Sequence, residues 1–414
     1  MLKTKWQKFF ILIISVTFIF GLSPAFGGDK INIGALNDMT GATSDVGKDY
    51  ALGVAEAIHY VNDNGGINGK KVKLYQFDYG YRIPEALTKY KLFKRLDCKA
   101  ILGWGTGDTE ALSPTVTRDK MPFVSASYSG HLASADKTPY NLFSGTDYSS
   151  NARATLTAWF DTKWKKHPDF GKRKPRLTCA YMSSSPYCSA PIKAIKDQAK
   201  ILGFEIGDDQ DVSLFAIDTK SQILSMKKFK PDVIWHGNTT MSVAATIKDA
   251  YAMELKVTHL INVWGLDKNL IKLAGASANG IMGATVCAFI GEENTPLMDK
   301  VVEYAQKYNP GIPIEKRLIR TVQAWGNVMV LWEAMKRADK AGDLSGESIL
   351  KNGFETLENF DLGLGISPVT YTATDHRPGK TITVYEINDG KFQLVQKVNL
   401  AERWSDKWNS WLGW

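Results

Sequence analysis

From Lys30 to about Val398 the sequence alternates between short apolar runs and longer stretches whose apolar residues recur at helical spacing. This rhythm limits the fold more than any other feature. Strands are expected at 31–36, 72–77, 100–102 and 123–124, with helices at 49–61, 84–96 and just after Thr109 between them. In 49–61 the residues Ala51, Val54, Ala55, Ile58 and Val61 share one face, and Asn64, Gly65 and Gly66 form a helix stop. After a polar break at 147–151 the alternation resumes. Strands are expected at 177–181, 205–212, 233–236 and 257–263, and helices at 152–163, 191–202, 221–229, 242–253 and near 267–273. A trailing region follows, with a strand at 281–290 and helices at 296–308, 319–337 and 347–357. It ends in β-like runs at 368–372, 381–387 and 392–398. Strand–helix–strand succession demands parallel pairing with the helices on the sheet faces, so the class is α/β. No internal sequence repeat is evident, and the shared rhythm of the two halves suggests two similarly built lobes.

Within this rhythm two consecutive strand ends have the same character. The run at 100–102 breaks into Gly103, Trp104, Gly105, Thr106, Gly107 and Asp108, and Thr109 is placed to cap the next helix. The run at 123–124 breaks into Ser125, Ala126, Ser127, Tyr128 and Ser129. Open parallel sheets bind ligands at the carboxyl ends of their strands, where helix N-termini favour anions. Two adjoining ends lined with hydroxyls and free N–H groups form a candidate anion cradle. The plainer alternative is that Gly and Ser make tight turns.

The N-terminus reads as a leader. Lys3, Lys5 and Lys8 precede an apolar stretch at 9–22, and Ala25, Phe26 and Gly27 give a small-x-small cleavage site. Residues 1–27 are therefore expected to be a signal peptide and the mature chain to be exported, periplasmic and soluble. No later stretch has the length and apolarity of a membrane span. The formal charge of +8 falls to about +5 without the three leader lysines. The basic clusters at 163–166 and 172–176 read as solvated surface, and no nucleic-acid partner is expected. Export permits disulfides. Of the four cysteines, Cys179 and Cys188 lie close enough in sequence for a bridge to be conceivable, while Cys98 and Cys287 read as core thiols. The six histidines are scattered, with no zinc spacing, P-loop, HExxH or GxSxG, so no cofactor or metal is expected. Gly103, Gly105 and Gly107 have the wrong spacing for a dinucleotide fingerprint.

Several segments resemble the leucine/isoleucine/valine-binding proteins. Ile33 to Gly41 opens like that family's first strand and turn. The most specific match runs through Ala57, Val61, Asn62, Asp63, Gly65, Gly66, Ile67, Asn68 and Gly69. The similarity continues in register at 101–103, 121–127, 230–237 and 280–283. The resemblance implies an α/β, two-lobed type I periplasmic-binding-protein fold, each lobe a mostly parallel sheet flanked by helices, joined by three crossovers. Carried onto this chain, lobe 1 is 30–146 plus 286–372, lobe 2 is 147–285 plus 373–398, and 399–414 is a Trp-rich tail. It implies an extracytoplasmic solute receptor of an ATP-driven (ABC) importer, with a small-molecule ligand and a membrane permease as partners. A monomer is expected, and no enzymatic activity.

The resemblance also transfers site positions. Thr106, Gly107 and Asp108, then Ser127, Tyr128 and Ser129, match the turns that hold the ligand carboxylate. Tyr187 matches a cleft tyrosine at the start of a second-lobe helix. Asn238, Thr239 and Trp264 follow second-lobe strands, and Trp104 and Gln323 are weaker candidates. In amino-acid-binding relatives an acidic residue holds the ligand ammonium, and the alignment places Trp264 there. An indole offers an apolar face and one N–H, not a counter-charge. The expected ligand therefore carries a carboxylate on an apolar, in part aromatic, body. A branched-chain amino acid is the alternative, with Asp108 or the π face of Trp264 taking the ammonium. A sensor or regulator on the same fold and a two-lobed hydrolase are the rival functions. Trp404, Trp408, Trp411 and Trp414 fall on one face of an expected helix, either packed back on a lobe or touching a membrane surface.

Overall fold

The computed structural model describes residues 30–414, so the expected signal peptide lies outside the described residues. The first lobe is built by β1 (Ile31–Asn37), α1 (Ser44–Asp63), β2 (Val72–Asp78), α2 (Ile83–Arg95), β3 (Ala100–Gly103), α3 (Thr106–Arg118), β4 (Phe123–Ser125) and β5 (Asn141–Leu142). Its five-stranded sheet runs β2-β1-β3-β4-β5, with every pairing parallel. The second lobe begins with α4 (Tyr148–Thr162), β6 (Arg176–Tyr181), α5 (Pro186–Ser189), α6 (Ile192–Ile201), β7 (Glu205–Ile206) and β8 (Gln210–Asp211). It continues through α7 (Lys220–Phe229), β9 (Val233–His236), α8 (Thr240–Ala252), β10 (Thr258–Ile261), α9 (Lys268–Ala274) and β11 (Met282–Thr285). The chain then returns to the first lobe for α10 (Met298–Tyr308) and α11 (Ile319–Lys340). It crosses back once more to complete the second sheet with β12 (Thr381–Asn388) and β13 (Lys391–Asn399). The second sheet runs β13-β12-β11-β10-β9-β6-β7, with β8 also on β6; only the two pairings of β12, with β11 and with β13, are antiparallel. This is the two-lobed α/β architecture that the alternating pattern and the resemblance imply.

The packing of α11 on α1 sets the shape of the first lobe. In α1 the buried residues include Ala51, Val54, Ile58 and Val61 of the expected stripe, joined by Val46, Tyr50 and Ala57, while Ala55 is only partly buried. The long helix α11 is buried over most of its length, so it carries no such stripe. Gly53 lets the two helices touch: a Cβ there would lie 2.9 Å from Thr321 Cα. Beyond α1 the chain turns through Gly65 and Gly66 at φ of +91° and +60°.

Several local expectations are corrected. Thr109 does not cap α3. Gly105 is the N-cap, and the Thr109 hydroxyl, one turn in, bonds Gly105 O and Ser125 Oγ (2.8 Å). The run 205–212 splits into β7 and β8, and the strand expected at 281–290 stops at Thr285 as the chain leaves for the first lobe. Residues 368–372 form no strand. Pro368 has no N–H for a ladder, and only the bridge Phe360–Val369 forms. All four cysteines are buried thiols, Cys179 and Cys188 included. The tail is not one helix: Trp404, at φ −133° and ψ 57°, separates Leu400–Arg403 from Ser405–Trp408. It packs against the protein, with Trp408 and Trp411 buried. Arg377 lies 3.8 Å from the Trp408 ring, and Arg153 lies 4.0 Å from that of Trp411. The basic clusters are solvated surface as expected: Lys163, Lys165, Lys166, Lys172 and Lys174 are exposed, with Lys163 paired to Glu386 and Arg173 to Asp169 and Asp232.

Candidate functional site

The carboxyl ends of both sheets face one cleft. On the first-lobe side the turn after β1 is tied by Asp38, whose carboxylate accepts from Thr43 N and Thr43 Oγ1, both at 2.8 Å. Trp104 follows β3 and donates its Nε1–H to Thr43 Oγ1 at 2.9 Å, which sets its ring over the cleft. The two hydroxyl turns meet as the sequence suggests: Thr106 Oγ1 lies 2.7 Å from Ser127 Oγ, and Ser125 Oγ accepts from Ser127 N at 2.9 Å. Gly103 keeps these turns close, since a Cβ there would strike the Phe123 ring at 2.1 Å.

On the second-lobe side Tyr148 opens α4, Tyr187 lies in α5, Thr239 precedes α8 and Trp264 follows β10. Asp147 caps α4 by accepting from Ser150 N, which fixes Tyr148 at the cleft. Trp264 donates its Nε1–H to Tyr148 Oη at 2.8 Å. Across the cleft its ring meets Trp104 at 4.9 Å and Tyr50 at 6.0 Å, both edge-on, and stacks on Tyr128 at 5.9 Å. Tyr148 meets Tyr187 edge-on at 5.4 Å. The result is an aromatic box with one hydroxyl-bearing wall.

The space left in the box is about 20 Å³, bounded by Thr43, Val46, Tyr81, Trp104, Gly105, Thr106, Tyr148, Tyr187, Thr239 and Trp264. That is room for about one water. No carboxylate lines it. Burial pushes the Tyr148 and Tyr187 hydroxyls above their ordinary range, outweighing the hydrogen bonds to Tyr148 and the pull of Arg320 on Tyr187, so both are neutral at physiological pH. Beside the box lies a chamber of about 210 Å³ whose lining includes Tyr81, Gly107, Asp108, Ser184, Ser185, Pro186 and Phe215. Asp108 accepts from Tyr79 Oη at 2.7 Å, and its second oxygen has no partner. Burial lifts its carboxyl to about 7, against the pull of the Tyr79 hydrogen bond. The cleft mouth is a cavity of about 550 Å³ between Gly41, Ala42, Ser44 and Asp45 on one side and Leu214–Ile217 and Met241 on the other.

Of the residues singled out in the sequence, Trp104, Thr106, Tyr187, Thr239 and Trp264 converge on the box, and Gly107 and Asp108 on the adjoining chamber. Ser127, Tyr128 and Ser129 lie behind the rings, fully buried. Asn238 is occupied in fastening loops, accepting from Met182 N and donating to Val212 O and Ser242 Oγ. Gln323 lies within α11 and accepts from Arg320. Sequence reasoning missed Tyr50, Tyr81, Tyr148 and Arg320. Tyr148 had a signal in the Asp147 cap; Arg320 had one as a lone charge inside an apolar helical run. Among the described residues no cluster of His, Cys, Asp or Glu is arranged to hold a metal, and no helix is long and apolar enough to cross a membrane.

The sequence profile described as periplasmic binding protein matches residues 30–391. An amino acid binding protein from Pseudomonas aeruginosa is 38% identical over 68 residues, a stretch covering 16% of this chain and 18% of that relative. A substrate-binding protein of an ABC transporter from Aeropyrum pernix is 30% identical, with a TM-score of 0.78 over 89% of this chain and 96% of that one. A branched chain amino acid ABC transporter structure from Thermus thermophilus with bound valine shares the fold at a TM-score of 0.82. It is 22% identical, covering 90% of this chain and 96% of that one.

Proposed function

The chain belongs to the periplasmic binding protein family, whose members bind solutes rather than catalyse reactions, and from that premise we propose an extracytoplasmic receptor that delivers a small carboxylate-bearing solute with an apolar body to the permease of an ATP-driven importer. The moving bodies are residues 30–146 with 286–372, and 147–285 with 373–398, hinged where the chain crosses between them. Closure around the solute presents a shape that the permease engages.

One observation carries the ligand class: the box holds aromatic rings and hydroxyls and no carboxylate. A buried ammonium without a paired acid is costly. The Thr106 and Gly107 N–H groups at the start of α3 and the Thr106 hydroxyl suit an anionic head, and the faces of Trp104, Trp264 and Tyr187 suit an apolar body. Because the rings fill the box when the lobes are together, the solute enters as the lobes part and the rings re-pack around it. A second reading, an amino-acid receptor, draws support from Asp108, whose unpartnered oxygen lies at the adjoining chamber.

A thermal-shift screen confirmed by calorimetry tests the two. Benzoate, phenylacetate and aliphatic carboxylates are set against leucine, valine and phenylalanine. A ligand at a hundredfold excess over Kd stabilises the folded chain by roughly 2.7 kcal/mol, a readily measured shift. The proposal expects a response to a nitrogen-free carboxylate. Micromolar leucine binding with no response to any such carboxylate overturns it in favour of the second reading.

A further inference from the structure

The start of α11 is fastened to the first lobe. Arg317 forms a forked pair with Glu56 at 2.6 and 3.0 Å, and its Nε reaches Asp49 at 2.7 Å. Asp49 in turn accepts from Leu318 N and Thr321 N. One turn on, Arg320 leaves this anchored base and crosses the cleft. Its Nη1 donates to Val263 O at 2.9 Å, and its Nη2 donates to Leu266 O at 3.3 Å and Asp267 Oδ2 at 3.1 Å. All three acceptors lie on the second-lobe turn that carries Trp264. That turn is ready to receive it: Asp267 caps α9 through Leu270 N and accepts from Thr240 Oγ1 at 2.8 Å. Arg320 is 0% exposed and Asp267 1%.

Another polar contact between the lobes is weaker, a 3.4 Å approach of Met241 N to Oδ2 of half-buried Asp45, whose Oδ1 is buried without a partner. Parting the lobes would break all three Arg320 contacts and return both charges to water. Closing them desolvates both groups; the three cross-cleft bonds, with Gln323 Oε1 accepting from Arg320 Nη1 and Thr240 Oγ1 donating to Asp267, offset that cost in part, while Arg320 Nε is left without a partner. With one partner missing, closure buries an unpaired charge and is strongly disfavoured. With both missing, that penalty disappears.

We propose that Arg320 is a positioning residue that latches the closed arrangement, pairing across the cleft with the Asp267 turn and so holding Trp264 in the box without itself touching the solute. The latch rests on the two-lobe hinge but not on the identity of the ligand, so it is tested on the ligand-free full chain by small-angle scattering.

Arg320→Met and Asp267→Asn should each enlarge the radius of gyration, shifting the balance toward the open form on the order of a hundredfold. Asn still caps α9, so the second variant keeps its fold. The double variant R320M/D267N should be more compact than either single variant, because neither charge is then left alone. Wild-type dimensions in both single variants overturn the proposal. So does a double variant at least as open as the singles. Melting temperatures that fall with no change in scattering also overturn it, because they assign the pair to folding alone. A failed ligand screen leaves these measurements, and the latch, unaffected.

Discussion

Asp108 should make the protein less stable as pH rises from the acid range to neutrality. Its carboxyl is 2% exposed and shifted by burial from 3.8 to about 7. The sign follows from proton counting. Between those two values the folded chain holds a proton that the unfolded chain has released, so stability falls as pH rises from about 4 to about 7 and is flat above. A shift of about 3 units at roughly 1.4 kcal/mol each sets a ceiling of about 4 kcal/mol for the loss. Asp108→Asn removes the titration and keeps an oxygen for the Tyr79 hydroxyl. Its new N–H₂ takes the place of the unpartnered oxygen and costs about 1–2 kcal/mol if left unpaired. The net expectation is that D108N is about 2 kcal/mol more stable than the parent at pH 8 and slightly less stable at pH 4.5. Urea unfolding of both proteins at the two pH values, followed by tryptophan fluorescence, gives the comparison, and every other titrating group cancels in the difference. A parent-minus-variant stability that does not change with pH would refute the reasoning, and would mean that Asp108 is ionised throughout and held by more than the Tyr79 hydroxyl.

The buried histidine pair carries the opposite sign. His236 Nε2 lies 2.8 Å from His259 Nδ1, and burial pushes His259 from 6.5 down to about 4 and His236 well below its ordinary value. A base with a lowered folded value contributes fully above about 6.5 and loses that contribution as pH falls toward 4. His259→Gln should therefore flatten the acid side by up to about 3 kcal/mol, read from urea midpoints at pH 7 and 4.5. Deleting residues 401–414 should lower the melting temperature, since three arginine–tryptophan contacts and two buried indoles are lost, at least about 3 kcal/mol in all. An unchanged melting temperature with loss of binding to anionic vesicles would instead assign the tail to a membrane surface.

The fold was legible because burial and helical spacing coincide in α1, and because most strands are short apolar runs closed by Gly or hydroxyl turns. Where the coincidence failed, the reading failed. α11 is buried nearly all round, so its sequence gives no direction for Arg320, which points away from its own lobe. Trp104, Tyr187 and Trp264 were visible as residues after strands or in turns. Their mutual contact was not, because it depends on two sheets that sequence periodicity does not orient. Ser127 and Ser129 have the chemistry of an anion site, yet the aromatic residues in front of them decide what reaches it. Tyr50 was overlooked because a tyrosine on an apolar helical stripe looks like core, and here the core and the cleft share that face. The tail periodicity pointed to a helix. Its real constraint is where Arg153 and Arg377 stand, more than thirty residues of chain away in each case that matters for Trp411 and Trp408.

The route of the chain also dictates an order of assembly. β11 pairs on one side with β10, close by in sequence, and on the other with β12, which arrives only after the whole of α10 and α11. Arg153 is 1% exposed, and part of its cover is Trp411 and Trp414; Ser149 donates to Trp414 O across 265 residues of sequence. Contacts of such separation must close large loops before they stabilise anything, which slows the last steps of folding. The first sheet, assembled from neighbours in sequence, can form early. The second waits with an open β11 edge and an unshielded arginine on α4 until β12, β13 and the final tryptophans dock. During that interval β11 is a free template for pairing with another chain, and aggregation on refolding should start there.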